Sequence, residues 1–110
     1  MIKGIGCDIV DLNRLDINDD NFALKVLTVQ EFSVYKNKKT PKQKREFLGG
    51  RFAGKEAFFK AVGIEKGLNS FQDIEILNDI NGKPFLSYSK SFISLAHENN
   101  YAVAYVIIEV

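Results

Sequence analysis

Residues 40–63 read TPKQKREFLGGRFAGKEAFFKAVG, and the fold turns on how this stretch is punctuated. Thr40 followed by Pro41 is a strong helix start, with a hydroxyl to cap a free amide and a proline where its missing N–H costs nothing. Gly63 supplies the stop, so the spacing predicts one long helix running to Val62. At 100° per residue Leu48, Phe52 and Phe59 make a narrow apolar stripe with Glu56 and Lys60 on its border. The helix also carries Gly49, Gly50 and Gly54, each costing about 1 kcal/mol relative to alanine. Together with Ala53, Ala57 and Ala61 they thin the other side of the helix. That implies close approach of a strand, a neighbour or a ligand.

Outward from this helix, Ile2 to Val10 is β-branched and alternates with glycine, as an opening strand does. Asn18 to Leu27 reads as a short helix. Thr28 with Glu31 forms a capping-box pattern for another, ending near Lys36. Asp73 to Leu77 and Phe85 to Tyr88 read as a β-hairpin turning at Asn81-Gly82. Phe92 to His97 and Tyr101 to Glu109 read as two further strands, the last apolar on both faces and so in need of cover from both sides. Helices early and strands late place the chain in the α+β class.

The 110 residues are 45% apolar and 26% charged, which is enough apolar surface for one core and excludes a disordered chain. No apolar run approaches the roughly 20 residues of a membrane span. Met1 to Gly6 lacks a basic region followed by an apolar stretch, so no signal peptide is expected and a cytoplasmic setting is. One cysteine, Cys7, excludes an internal disulfide framework and a thiolate-rich zinc site. The net charge is +1, but nine basic residues face two acidic ones between Ser33 and Lys60, while acids prevail on either side. This concentrated positive field would attract phosphates or an acidic protein, and a solvated helix face is the plainer reading.

Three places could carry chemistry. On the opening strand, Ile5, Cys7 and Ile9 share one face and Gly4, Gly6 and Asp8 the other. The glycines leave a bare shelf beside one carboxylate, over which a ligand or another backbone can come close. Asp8 is read equally as an exposed edge residue or a metal ligand, and Cys7 as core packing. On the long helix, Glu56 lies beside large aromatics and needs a cation, for which Lys60 one turn on is placed. His97, the only histidine, falls on the face of Ile93 and Leu95, where a core or interface role outweighs a catalytic one. In combination, Asp8 and Glu56 suit Mg²⁺, which takes few protein oxygens and completes its shell from water and substrate phosphates. The basic segment before Glu56 and Lys60 after it would hold those phosphates. Phosphate chemistry with a divalent metal is therefore the leading reading. The alternative is a non-catalytic nucleic-acid-binding module using the basic 36–45 segment, which leaves both acids without a role.

The words themselves are also familiar. Gly4-Ile5-Gly6-Cys7-Asp8-Ile9-Val10 with Arg14 resembles the opening motif of the bacterial holo-acyl-carrier-protein synthases, the small class of 4′-phosphopantetheinyl transferases. Arg51 to Ala61, with its Lys55-Glu56-Ala57 core and Lys60, resembles their second motif. Asn81-Gly82-Lys83-Pro84 matches their hairpin turn, and Ser94-Leu95-Ala96-His97-Glu98 their third motif, with Ala96 where the family usually has serine. The resemblance implies a single 4′-phosphopantetheinyl transferase domain over 1–110, a long central helix packed on a mainly antiparallel sheet. It implies transfer of the phosphopantetheine arm of coenzyme A to a serine of apo-acyl carrier protein, leaving adenosine 3′,5′-bisphosphate. Asp8 and Glu56 would hold Mg²⁺, and Lys60 would contact the phosphates, these three forming the catalytic set. Lys44, Arg45, Arg51, Gly82, Lys83, Pro84 and His97 would join Lys60 around the coenzyme, with Lys42, Lys44 and Arg45 placed by position toward its 3′-phosphate. Arg14 would meet the carrier protein. The resemblance further implies a homotrimer with sites at subunit interfaces, acting in fatty acid biosynthesis, and no nucleic-acid or membrane partner. The short stretch from Phe85 to Ser94 leaves little room for the helix that the family usually places before its third motif.

Overall fold

Pro41–Val62 is one uninterrupted helix in the computed structural model, which describes residues 1–110. Both end signals act as expected: the Thr40 hydroxyl accepts the Gln43 N–H at 3.1 Å. Gly63 leaves the helix at φ +72° while its N–H donates to the Phe59 carbonyl. We label the elements β1 (Ile2–Asp11), α1 (Asn21–Val26), α2 (Val29–Lys36), α3 (Pro41–Val62), β2 (Ile76–Asn78), β3 (Pro84–Leu86), β4 (Ser91–Glu98) and β5 (Tyr101–Glu109). β1, β5 and β4 form an antiparallel sheet in that order, with β5 in the middle, and β2 pairs with β3 in a separate two-stranded ribbon.

α3 divides the interior in two. Its glycine- and alanine-rich side lies on the sheet, where Ala53, Ala57 and Ala61 pack with Val10, Ala104, Val106 and Ile108. Its other side meets α1 and α2 through Leu48 and Phe47, with Ala23, Val26, Leu27 and Tyr35. Phe52 continues the stripe edge-on to Phe22 and Phe71, and Phe59 contacts Phe71 and Phe58. The thin side admits a close approach of the β1 backbone. A Cβ on Gly4 would stand 1.9 Å from the Ala61 carbonyl oxygen, and one on Gly6 1.9 Å from that of Ala57. The bare shelf of β1 is therefore filled by the α3 backbone.

That contact corrects the expectation for Cys7. Because the helix takes the glycine face, Ile5 (65% exposed), Cys7 and Ile9 (63%) look outward, away from the core. β5 alternates in the same sense: Ala102, Ala104, Val106 and Ile108 are buried under α3, whereas Tyr101 and Tyr105 stand exposed on the open face.

Local polar contacts explain the other differences. α1 is shorter than expected, because the Asp16 and Asp19 carboxylates accept the N–H groups of Asn18 and Asn21 at 2.9 Å and hold that segment in turns. Asp73 belongs to a single 3-10 turn, Phe71–Asp73, since its carboxylate accepts the amides of Asn69 and Ser70. Those bonds hold the Asp73 carboxyl below the usual carboxylate range. The hairpin does turn at Asn81-Gly82, with Gly82 at φ +83°, but through the wider loop Asp79–Lys83. Asp79 caps that loop by accepting from Asn81 and Lys83. Between β3 and β4 the chain makes a short turn with Lys90 at φ +57° and no helix, as the brevity of that stretch predicts.

One polar interaction escaped the sequence reading. Lys55 and Glu31 are wholly buried and joined at 2.5 Å. Lys55 Nζ also donates to the carbonyls of Val26 at 2.7 Å and Phe71 at 2.9 Å. Glu31 accepts from Thr28 in the expected capping box and from the Ile76 amide at 2.7 Å. Burial pushes the Lys55 ammonium below the ordinary lysine range, against the opposing pull of Glu31. The pair ties α1, α2, β2 and the 3-10 turn to one point on α3.

Two substitutions test these anchors. Gly6→Ala should destabilise by at least about 3 kcal/mol, the upper range for overpacking, because the clash is with backbone; thermal unfolding measures it. Lys55→Met should cost roughly 3–5 kcal/mol by leaving Glu31 buried and unpaired, read as a lowered urea midpoint with unchanged slope.

Candidate functional site

Asp8 continues the helix-facing row of Gly4 and Gly6, at the point where β1 reaches the flank of α3. Its side chain is only 19% exposed, so its charge needs a partner. The partner is Lys60, whose ammonium donates to Asp8 Oδ1 at 3.1 Å and to the Cys7 carbonyl at 3.0 Å. The expected Lys60–Glu56 pair is not formed: the edge strand offers the ammonium two acceptors side by side, and Lys60 turns to them. Glu56 lies one turn earlier on the same helix face, about 6 Å along the axis, half-buried and without an ion pair. Asp8 and Lys60 are thus in contact, and Glu56 borders the same edge.

The donor set here is carboxylate and carbonyl oxygen, the kind a hard dication takes. Three or more His, Cys, Asp or Glu side chains do not converge here, so Asp8 and Glu56 would supply only part of an ion's shell, the remainder coming from water or other ligands. Lys60 already stands on Asp8 as a positive charge. The residues fit such an ion.

A second feature lies elsewhere. A cleft of about 580 Å³ opens between the N-terminal half of α3, the β2–β3 loop and the end of β4. It gathers Arg51, Gly82, Pro84 and His97 from the expected set, together with Lys38 of the basic 36–45 segment and Glu46 and Asn78, which sequence reasoning passed over. His97 is exposed, not core: the Ile93–Leu95 row runs out into the cleft, and there His97 Nδ1 lies 3.2 Å from Glu46 Oε2. The only cue for Glu46 is that it is the first acid after the basic run. Arg51 is a wall of the cleft and a brace at once. Its guanidinium donates to the Ile76 carbonyl and the Asn78 side chain and lies 4.3 Å from the Phe47 ring. Burial lowers its pKa, with Glu31 opposing. Gly50 adds no side chain to the cleft, and a Cβ there would meet nothing closer than Leu95 at 3.9 Å. Ala96 lines the cleft where the resemblance expects a second serine.

The remaining expected residues lie outside this cleft. Lys44 covers Tyr35, 4.8 Å from its ring and 3.3 Å from its carbonyl. Arg45 is half-buried beside it, and Lys42 is exposed on the first turn of α3. Lys83 faces a separate groove with Phe85 and Phe92. Arg14 is 86% exposed and 3.7 Å from Asp11. Much of the basic segment is bound into the fold, Lys36 on Asp20 and Phe32 and Lys38 over Phe47. The Asp8–Lys60 pair and the cleft share no residue. Along α3, Arg51 and Glu56 are separated by about 7.5 Å of rise and 140° of rotation.

Comparison with known proteins settles the family. Residues 4–106 match the model of the 4′-phosphopantetheinyl transferase superfamily. A holo-[acyl-carrier-protein] synthase from Geobacillus sp. is 44% identical over 99% of this chain and 98% of its own. A solved holo-(acyl-carrier-protein) synthase from Bacillus anthracis, in complex with CoA (3′,5′-ADP), superposes with a TM-score of 0.86 at 44% identity, over 97% of this chain and 96% of the other. The synthase from Neisseria meningitidis gives 0.87 at 34% identity over the whole of both chains. Nothing in these matches supports the nucleic-acid alternative, and no helix is long and apolar enough to cross a membrane. With its α+β architecture, its opening strand and its Lys55-Glu56 helix all in the family's order, the chain belongs to the 4′-phosphopantetheinyl transferases, among the holo-acyl-carrier-protein synthases.

Proposed function

We propose that this chain transfers the 4′-phosphopantetheine arm of coenzyme A to a serine of an apo-acyl carrier protein, with Mg²⁺ held by Asp8 and Glu56. The observation that carries this reading is the meeting of Asp8 with Lys60 at the α3 flank where Glu56 also lies. The serine oxygen bonds to the phosphorus bearing the arm, the bond from that phosphorus to the bridging oxygen breaks, and adenosine 3′,5′-bisphosphate leaves. The ion, when bound, supplies Lewis-acid polarisation and neutralises the leaving phosphate. Asp8 and Glu56 would hold it, Lys60 would contact the diphosphate, and the serine proton would pass to Glu56 or to water. Arg51, Gly82, Pro84 and His97 would receive the nucleotide end in the cleft, with Lys44, Arg45 and Lys83 as outer contacts. Arg14, exposed beyond β1, would meet the acidic carrier.

The separation of the cleft from the Asp8–Lys60 pair favours a site completed between subunits. Ile5, Ile9 and Tyr105 give the open sheet face an apolar surface for such contact. We therefore read the protein as a homotrimer of the cytoplasm, serving carriers of fatty acid biosynthesis.

Incubated with Mg²⁺, coenzyme A and apo-carrier protein, the purified chain should raise the carrier's mass by one phosphopantetheine. Glu56→Gln should lower turnover on the order of 10²-fold or more, the scale of several kcal/mol of lost charge stabilisation; normal turnover would remove Glu56 from the metal site. Ile9→Glu should shift sedimentation to the monomer and abolish transfer. A fully active monomer would defeat the shared-site reading.

A further inference from the structure

We propose that Lys60 and the divalent cation compete for Asp8, so that Lys60 is the counter-ion of this carboxylate until the metal arrives, and only then turns to the phosphates. The proposal rests on the metal-site reading above and adds to it a second position for one side chain.

The geometry that points to it is local. The Lys60 ammonium stands on the carboxylate and on the adjacent backbone carbonyl, at 3.1 Å from Asp8 Oδ1 and 3.0 Å from the Cys7 oxygen. These are oxygens that an ion arriving at this edge would also meet. Asp8 is four-fifths covered and pairs with no cation other than Lys60, so removing Lys60 without a replacement would leave a desolvated, unpaired charge. Lys60 itself is 54% exposed and held by these two contacts alone, at the end of a flexible four-carbon stem. A dication on Asp8 with the ammonium still in place would put three positive charges around one carboxylate. At such short range that repulsion is strong in a partly buried site. Exchange of one cation for the other keeps Asp8 compensated throughout and frees the ammonium one helical turn from Glu56. A diphosphate arriving with the metal gives the freed ammonium its new partner. By linkage, metal and coenzyme then each tighten the binding of the other.

The test measures Mn²⁺ binding to the coenzyme-free protein, following the free-ion signal by electron paramagnetic resonance. Lys60→Met removes the competitor and offers no ligand, and should tighten Mn²⁺ by roughly tenfold, the range of a moderate coupling between charges. Lys60→Arg keeps a cation at the position and should leave the affinity close to that of the unaltered chain. Adding coenzyme A should tighten Mn²⁺ less in Lys60→Met than in the unaltered protein. Equal or weaker Mn²⁺ binding by Lys60→Met would overturn the proposal. Asp8→Asn separates the two readings. If it loses Mn²⁺ binding while Lys60→Met gains nothing, the metal site stands and the competition fails. If it binds Mn²⁺ as the unaltered chain does, the metal site itself is wrong and the competition falls with it.

Discussion

The structure depends on one steric constraint, the seating of the α3 backbone directly on that of β1. Carbonyl oxygens of Ala57 and Ala61 occupy the space where side chains of Gly6 and Gly4 would be. Hydrophobic burial alone does not specify such an approach, since larger residues would bury more area at a greater distance. What the short distance provides is reach. Lys60, leaving the helix between these two contacts, can touch both the carbonyl and the carboxylate of the neighbouring strand. A wider spacing would leave Asp8 facing water and Lys60 paired along its own helix.

A second constraint fixes how the helix is turned. Lys55 and Glu56 are consecutive, so their side chains leave α3 about 100° apart. Lys55 points to the interior and is held there by Glu31 and by the carbonyls of Val26 and Phe71. Glu56 is thereby directed to the flank beside β1. The buried pair need not add net stability, since the desolvation of two charges offsets much of their attraction. It does penalise any rotation of the helix that would carry Glu56 elsewhere.

The sequence was most legible where backbone rules act alone. Thr40-Pro41 and Gly63 bounded α3 correctly, and the thinness of one helix face announced a close neighbour. Legibility failed where a partner's identity decided the outcome. Alternation places Ile5, Cys7 and Ile9 on one face but does not encode which face takes the helix, and because α3 seats on the glycine face, Cys7 lies outside the core. Lys55 stands in the second motif and completes the 48–52–55–59 spacing of the apolar stripe, but its burial is not legible, because a lysine there looks like a break in the pattern until Glu31 is brought opposite it. His97 was placed on its row correctly. That the row ends in a cleft, beside Glu46, depends on how β4 crosses α3, which no local signal encodes. Asp8, Glu56 and Lys60 are legible as a charge pattern on a strand and a helix, whereas most of the other expected residues come only from the family likeness; the fold groups Arg51, Gly82, Pro84 and His97 at a cleft and leaves Lys44, Arg45, Lys83 and Arg14 outside it.

Gly50 leaves a space beside the helix that its surroundings do not require. An alanine there would gain about 1 kcal/mol of helix propensity, and the surrounding atoms would accept it, since Leu95 is the nearest at 3.9 Å. The methyl would instead subtract from the floor of the cleft. The depth of this cleft is thus adjustable by a single residue, independently of the packing that holds the protein together. A relative that needed a shallower pocket could acquire one and become more heat-resistant in the same step.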